Sequence, residues 1–318
     1  MRITCDGSAA VVEAANGEQH FTASVGVADP ASRIATLVPG RMLVRFLEKL
    51  ESDADAVVEI DADTETRFRV GESQLTLKQF DPDTWPQFTE ASEAVGSLSP
   101  DDAGRIRSVL FAASADPDRG ALVGIHLADG YATATDNHRL ARVNVSTEMP
   151  PSLVPASFLQ HALRTSVEGL QIWMSANRVR FVDATGSWST QLLLQDYPNI
   201  RPVLNRPVTA EIRFDTTTLR KALDLLSVLD RVHVVQLLRP ANGLATLSAS
   251  DEALGRIEEH LAVEGTWFGT ACFRSADLRD AVRAHDEASA CLQFTGNTKH
   301  VLLEGGAIQQ AIGTQRCG

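Results

Sequence analysis

No stretch of the 318 residues approaches the 18 or more consecutive apolar positions of a membrane helix, and the opening MRITCDGSAA lacks the apolar core of a secretory signal. A soluble, cytoplasmic chain is expected, with no membrane partner. Cysteine is scarce: Cys5, Cys272, Cys291 and Cys317 stand far apart, with no Cys-x-x-Cys pair and no histidine at metal-ligand spacing. Four unbridged thiols serving as small apolar side chains in a reducing compartment are therefore expected, and no metal or other cofactor. A glycine-rich phosphate loop and a nucleophile motif are missing too. So is an excess of positive charge: the net charge of −12 argues against a protein that coats nucleic acid with its whole surface, although not against one with a basic lining.

What the chain does have is length, 44% hydrophobic residues and a repeat. The length allows two or three domains of roughly 100 to 150 residues. Three segments share one layout, in which a strand pair leads into a helix and the helix into further strands. Val38 to Leu50 (VPGRMLVRFLEKL) and Val154 to Ser166 (VPASFLQHALRTS) match in their Val-Pro start and apolar spacing, and Phe273 to His285 is a third copy without the proline. The strands that follow, Val57 to Phe80, Leu170 to Leu194 and Ala290 to Ile312, alternate apolar and polar residues, with turn breaks expected at Gly71, Gly186 and Gly305. Those that precede, Ile3 to Val27, Leu122 to Val145 and Val234 to Val263, each read as strand, polar turn, strand.

Two copies begin with an additional amphipathic helix, over Pro100 to Ala115 and Asp215 to Leu229. Copy one enters almost directly into a strand, so a leading helix is absent there by comparison. The division expected is 1–90, 98–205 and 208–318.

Charge gathers on the helices. Arg41, Arg45 and Lys49 recur at four-residue spacing, a same-sign stacking that weakens a helix by a few tenths of a kcal/mol. Arg279 and Arg283 repeat it, while Arg105, Arg107, Arg164, Arg220 and Lys221 add charge elsewhere. The five helix windows 38–50, 103–115, 154–166, 216–229 and 274–285 hold eleven Lys or Arg against four Asp or Glu, a balance of +7 on an acidic chain. One surface facing a polyanion through salt-dependent phosphate attraction, without base reading, fits that pattern; ordinary solvated helix faces are the alternative.

Tyr131 to Val143 (YATATDNHRLARV) reads as a strand, a tight turn through Asp136 and Asn137, and a second strand. Alone it suggests either a Ser/His/Asp type of active site or a polar hairpin. Asp136 and His138, two residues apart, are a conceivable acid/base pair, but no nucleophile or third orienting group accompanies them.

Taken together, the threefold layout, ATDNHRLA in the second copy and YPNIRPVL at its end resemble the bacterial sliding clamp, the beta subunit of DNA polymerase III, along nearly the whole chain. The resemblance implies an α+β fold of three clamp domains, with outer antiparallel sheets and inner helices. Two subunits would close head to tail around duplex DNA as a non-catalytic, nucleoid-associated processivity factor for a replicative or translesion polymerase, with a clamp loader as a further partner. It also implies a pocket for short hydrophobic peptides between the second and third domains, formed by Leu122, Thr135, His138, Arg139, Leu140, Pro198 and Val203. Thr135 and Arg139 would orient the peptide, Arg316 would supply the basic part of the C-terminus, and Arg119 would approach DNA. For closure of the homodimer, the edge strand from Thr66 to Phe80 offers Arg67, Arg69 and Lys78 to Asp251, Glu252, Glu258 and Glu259 of the third domain, opposite charges that steer pairing. A clamp relative that binds clamp partners without closing a stable ring is the alternative within this fold. The chain departs from the family at the front of copy one, at Pro202 where arginine is usual, at Asn137, Gly120 and Ala121, and in its Thr314-Gln315-Arg316-Cys317-Gly318 ending.

Overall fold

The computed structural model describes residues 1–27, 34–50, 56–60, 64–89, 91–165, 169–229, 233–296 and 299–317. Its elements run three times through one series. In the first, β1 (Arg2–Cys5), β2 (Ala9–Ala15), β3 (Gln19–Gly26) and β4 (Ile34–Leu37) lead into α1 (Gly40–Leu47). Then follow β5 (Ala56–Ile60), β6 (Glu65–Val70) and β7 (Ser73–Lys78). The second opens on β8 (Glu93–Leu98) and α2 (Pro100–Val109), continues through β9 (Gly124–Ala128), β10 (Tyr131–Thr135), β11 (Arg139–Asn144) and β12 (Ser152–Pro155), and reaches α3 (Ala156–Thr165). It ends with β13 (Leu170–Ser175), β14 (Arg178–Val182) and β15 (Gly186–Gln191), after which the short α4 (Arg201–Leu204) leads on. The third comprises β16 (Val208–Asp215), α5 (Thr216–Leu226), β17 (Val234–Ala241), β18 (Leu244–Asp251), β19 (Gly255–Thr266) and β20 (Thr270–Arg274). It closes with α6 (Ser275–Arg283), β21 (Ser289–Thr295), β22 (His300–Glu304) and β23 (Ile308–Gln315).

Local chemistry places these elements. Ser99 caps α2 by accepting the Asp102 N–H at 3.0 Å, with Pro100 in the first turn, where its missing donor is not needed. Asp102 is buried and accepts from the Ser146 N–H (2.9 Å) and the Thr147 hydroxyl (3.0 Å), which ties the start of α2 to the chain leaving β11. Asp215 caps α5 in the same way, accepting from the backbone N–H and hydroxyl of Thr218 at 2.7 and 2.6 Å. Those bonds, the hydroxyl's first, hold the exposed Asp215 carboxyl below its usual range.

Two compact units result, Met1–Ser97 with Glu168–Gln191, and Leu98–Val167 with Leu192–Gly318. The division crosses the second series because backbone pairing runs from one series into the next. In the first unit the strand order is β4-β1-β2-β3-β15-β14-β13-β8, with a separate β5-β6-β7 sheet. Gly186 makes the β3–β15 seam possible, since a Cβ there would stand 2.2 Å from the Thr22 carbonyl oxygen. In the second unit twelve strands run β12-β9-β10-β11-β23-β20-β17-β18-β19-β16-β21-β22, and a further β22–β23 pairing closes the third series on itself. Its core gathers Leu219, Leu223 and Leu226 of α5, Leu278 and Val282 of α6, and Phe273, Leu292 and Ile312 from the strands.

Several expectations need correction. Cys272 and Cys317 form a disulfide, so two of the four thiols are not free. The cause is topological: Cys272 pairs with Gln315 in the β20–β23 ladder, which brings the last residues beside β20. The first amphipathic helix of series two ends at Val109 and tightens into a 3-10 turn over Leu110–Ala112 rather than reaching Ala115. Gly186 begins a strand, and the turn before it is built by Asp183, which accepts the N–H groups of Thr185 and Gly186 at 2.7 and 3.0 Å. Lys49 lies in a turn beyond α1 and does not extend its face. Among the described residues the first series has no counterpart of α2 or α5, and Met42, Val44 and Leu47 of α1 stand exposed. Residue 90, which ends the first expected division, and residue 166, which ends the expected second helix segment, lie outside the described residues.

Candidate functional site

The Tyr131–Val143 stretch is a hairpin, β10 paired with β11 from Tyr131↔Asn144 to Thr135↔Leu140. Its turn needs a left-handed residue, supplied by Asn137 at φ 74°. Asp136 Oδ1 accepts the N–H groups of His138 (2.8 Å) and Arg139 (2.9 Å), while the Thr135 hydroxyl donates to the Arg139 carbonyl at 2.7 Å. The Asp136 carboxylate is thus a turn-forming group, and its second oxygen lies 3.3 Å from the Arg139 guanidinium. Asp136 is thereby committed to the turn and to Arg139 and not to a proton transfer with His138, which removes the basis for their acid/base pair.

Arg139 is more heavily committed than its expected peptide-orienting part allows. Its Nη1 lies 2.7 Å from Asp280 and 3.7 Å from Asp277 on α6, and its guanidinium stands over the Phe111 ring at 5.5 Å. Asp277 is fully buried; burial pushes its pKa up, opposed by Arg274 and then Arg139. Arg139 therefore binds the hairpin to α6, and its charge is already matched by three carboxylates.

Beside the hairpin lies a cavity of about 1080 Å³ within the second unit. Thr135, His138, Arg139, Leu140, Pro198, Val203 and Arg316 all line it. Leu122 does not: it is buried in the 3-10 segment Pro117–Val123, away from the lining. Leu140 is buried against Leu302 and Ala311, with Ile200, Val203 and Leu204 packed alongside. Gly313 brings β23 onto the turn by donating its N–H to the His138 carbonyl at 2.6 Å, where a Cβ would come within 2.7 Å of that oxygen. Tyr197, before Pro198, donates to the Thr133 carbonyl at 3.3 Å and stacks on His126 at 4.8 Å. Burial raises the Tyr197 pKa and lowers that of His126.

The third series supplies a wall that the sequence reading missed. Trp267 stacks on Phe294 with centroids 4.0 Å apart, and the neighbouring Phe268 is 83% exposed. Lys299, His300 and Val301 continue the wall. Burial, reinforced by Arg206, lowers the His300 pKa. Adjacent Trp and Phe in a chain with 6% aromatic residues were the available signal. Cys272 also lines the cavity, and its bond to Cys317 fastens the chain end next to Arg316.

No family model matches the chain. The beta sliding clamp of Synechococcus elongatus is 26% identical over 292 residues, covering 85% of this chain and 77% of that protein. The beta sliding clamp of Streptomyces coelicolor is 26% identical over 290 residues, 85% of this chain and 76% of its own length. Among solved structures, the DNA polymerase III subunit beta of Pseudomonas aeruginosa superposes with a TM-score of 0.84 at 19% identity, covering 99% of this chain and 92% of that one. The DNA polymerase sliding clamp of Caulobacter crescentus gives 0.86 at 19% identity, over 99% and 91%. This chain is a divergent relative of the bacterial sliding clamps.

The basic residues singled out in the sequence fall into two groups. Arg41, Arg45, Lys49, Arg164 and Lys221 are exposed and have no ion pair among the described residues. The others are partly engaged. Arg105 pairs with Asp101 (3.3 Å), Arg119 with Asp116 (3.8 Å) and Arg283 with Asp224 (2.7 Å), and Arg107 donates to the Leu163 carbonyl at 3.0 Å. Arg279 is half-buried. Arg220 is a helix cap, donating to the carbonyls of Val282 (3.1 Å), Arg283 (3.4 Å) and His285 at the end of α6.

The expected edge strand also needs restating. β6, carrying Arg67 and Arg69, is the middle strand of its sheet, and Arg69 already pairs with Glu59. β7, with Lys78, has the open side. In β19 the half Gly255–Ala262 pairs only with β18, because β16 takes up Val263–Thr266. Glu258 pairs with Arg256, while Glu252 is exposed and Glu259 half-buried.

Proposed function

We propose that this chain works as a sliding clamp, two copies closing head to tail around duplex DNA and tethering a polymerase or repair protein through the cavity beside Leu140. The observation that carries the reading is the element series run three times, in a chain whose fold matches solved clamps over nearly its whole length. The three series correspond to domains 1–90, 98–205 and 208–318. A topological tether needs no catalytic group and no tight phosphate contact, which suits a non-enzyme with modest basic helix faces; the exposed group led by Arg41, Arg45, Arg164 and Lys221 would face the DNA, and the engaged arginines would contribute less.

Among the open strand edges of the described residues, β7 and the first half of β19 are the ones closure would use, and an unpaired edge is a template for pairing with another chain. Backbone pairing there would be supported by Lys78 opposite Glu252 and Glu259, each such pair contributing only about 0 to 1 kcal/mol. The cavity, apolar in its floor and aromatic on one wall, suits a short hydrophobic peptide from a polymerase or from the loader that opens the ring. A cytoplasmic location follows from that work, and no described helix is long and apolar enough to cross a membrane. The uncovered face of α1 favours a second reading, a clamp relative that binds the same partners without a lasting ring.

Retention on DNA tests the proposal. Loaded on nicked circular DNA with its loader, the protein should co-elute with the circle and be released when the circle is linearised. Equal retention on both topologies, or none on either, would overturn it.

A further inference from the structure

Near its end the chain changes partners. Gly313 still donates to the His138 carbonyl beside β11, whereas Thr314 and Gln315 pair with Phe273 and Cys272 of β20. Arg316 and Cys317 follow, exposed and, among the described residues, without a hydrogen bond or ion pair, so the Cys272–Cys317 bond is what fastens them. The two Cα atoms stand 5.4 Å apart, an ordinary span for a disulfide, and the sulfurs can therefore part and rejoin without a shift of β20. Thr314, Gln315, Arg316 and Cys272 all line the cavity, which makes the bond and the strand end it holds part of the wall. Access to the two sulfurs differs: Cys272 is 2% exposed, and Cys317 faces solvent. Cys5 and Cys291 are free and lie outside the lining.

We propose that Cys272 and Cys317 are a reversible thiol–disulfide site that gates the cavity: bonded, they hold the wall from Thr314 to Arg316 in place for a peptide, and reduced, they release it. This rests on the peptide-pocket reading above and goes beyond it by giving that pocket a redox control. In the cytoplasm which that reading implies, glutathione and thioredoxin keep thiols reduced, so a bridge there follows the thiol poise and is not a permanent brace. In reduction, a glutathione thiolate attacks the exposed Cys317 sulfur, the S–S bond breaks, and the electron pair leaves with Cys272, which takes up a proton. A second glutathione displaces the first from Cys317, so the protein gains two electrons and two protons and glutathione disulfide is left; oxidation runs the same steps in reverse. A wall already ordered spares the peptide the cost of ordering it, and the bonded form is therefore the one that binds more tightly.

Anisotropy of a fluorescent peptide with a Leu-Leu-Phe run, titrated with the full chain, tests the proposal. Equilibrated with oxidised glutathione, the protein should show the Cys272–Cys317 bond in a non-reducing peptide map. It should then bind the peptide about 3- to 10-fold more tightly than after dithiothreitol, the range for sparing the ordering of about one long side chain. In Cys317→Ser, with circular dichroism showing an intact fold, affinity should stand at the reduced level in both buffers. Absence of the bond under oxidised glutathione, equal or tighter binding after reduction, or a reductant effect that survives in Cys317→Ser would overturn the gate while leaving the pocket reading standing. Binding in neither state would overturn both.

Discussion

Arg139 lines the cavity while its charge is engaged inside the protein. Its guanidinium joins the hairpin turn to the buried Asp277 and to Asp280, so Arg139→Ala would leave the buried Asp277 with Arg274 alone and Asp280 without its cation. A loss of about 2–4 kcal/mol in unfolding free energy is expected by urea titration; a change under about 0.5 kcal/mol would show the network to be incidental. Asp277 also sets a pH signature. Its folded pKa lies above the ordinary 3.8, so its share of stability is fully present below that value and is lost as pH rises through the raised one. The stability of Asp277→Asn relative to the parent should therefore improve as pH climbs from about 3 through the acid range, and a flat difference would contradict the assignment. In the cavity itself, Leu140→Asp with Pro198→Asp should abolish capture of hydrophobic peptides, measured by calorimetry. The Asp-Asn turn was legible in the sequence because its chemistry is local. The partners of Arg139 were not, since Asp280 lies 141 residues away and nothing near Arg139 announces it.

At the scale of elements, the repeated series follows from periodicity and caps, and strand, helix and strand could be read from Val-Pro starts and alternating residues. Pairing order could not. The Cys272–Cys317 bond depends on β20 lying beside β23, a contact that spacing alone does not encode. It closes a 45-residue separation, and reduction by a dithiol such as dithiothreitol, or Cys317→Ser, should lower stability by about 2–4 kcal/mol. Indifference of the denaturation midpoint to the reductant would contradict the bridge. The same limit hid the work of Arg220, which reads as one more basic helix residue until α5 is seen packed on α6. With the carbonyls at the end of α6 left without this donor, Arg220→Ala should cost about 1–2 kcal/mol and fray the end of that helix, a change that amide hydrogen exchange at Ala284 and His285 would register.

For the whole molecule, the central claim is that two copies form a ring. The ring was implied by the resemblance, and the +7 balance of the helices pointed only to a surface facing a polyanion, whereas the open edges of β7 and β19 became visible only once strand order was known. Backbone pairing along those edges, supported by apolar burial, must supply most of the closure because the flanking charge pairs are weak. Reversing Arg41, Arg45, Arg164 and Lys221 to Glu should shorten residence on circular DNA without altering assembly, since attraction to phosphate and closure of the ring use different surfaces. The mass of the protein in solution, by light scattering at micromolar concentration, tests the claim most directly. The account predicts a particle of about twice the 34.3 kDa chain, and a particle of one chain's mass would contradict it.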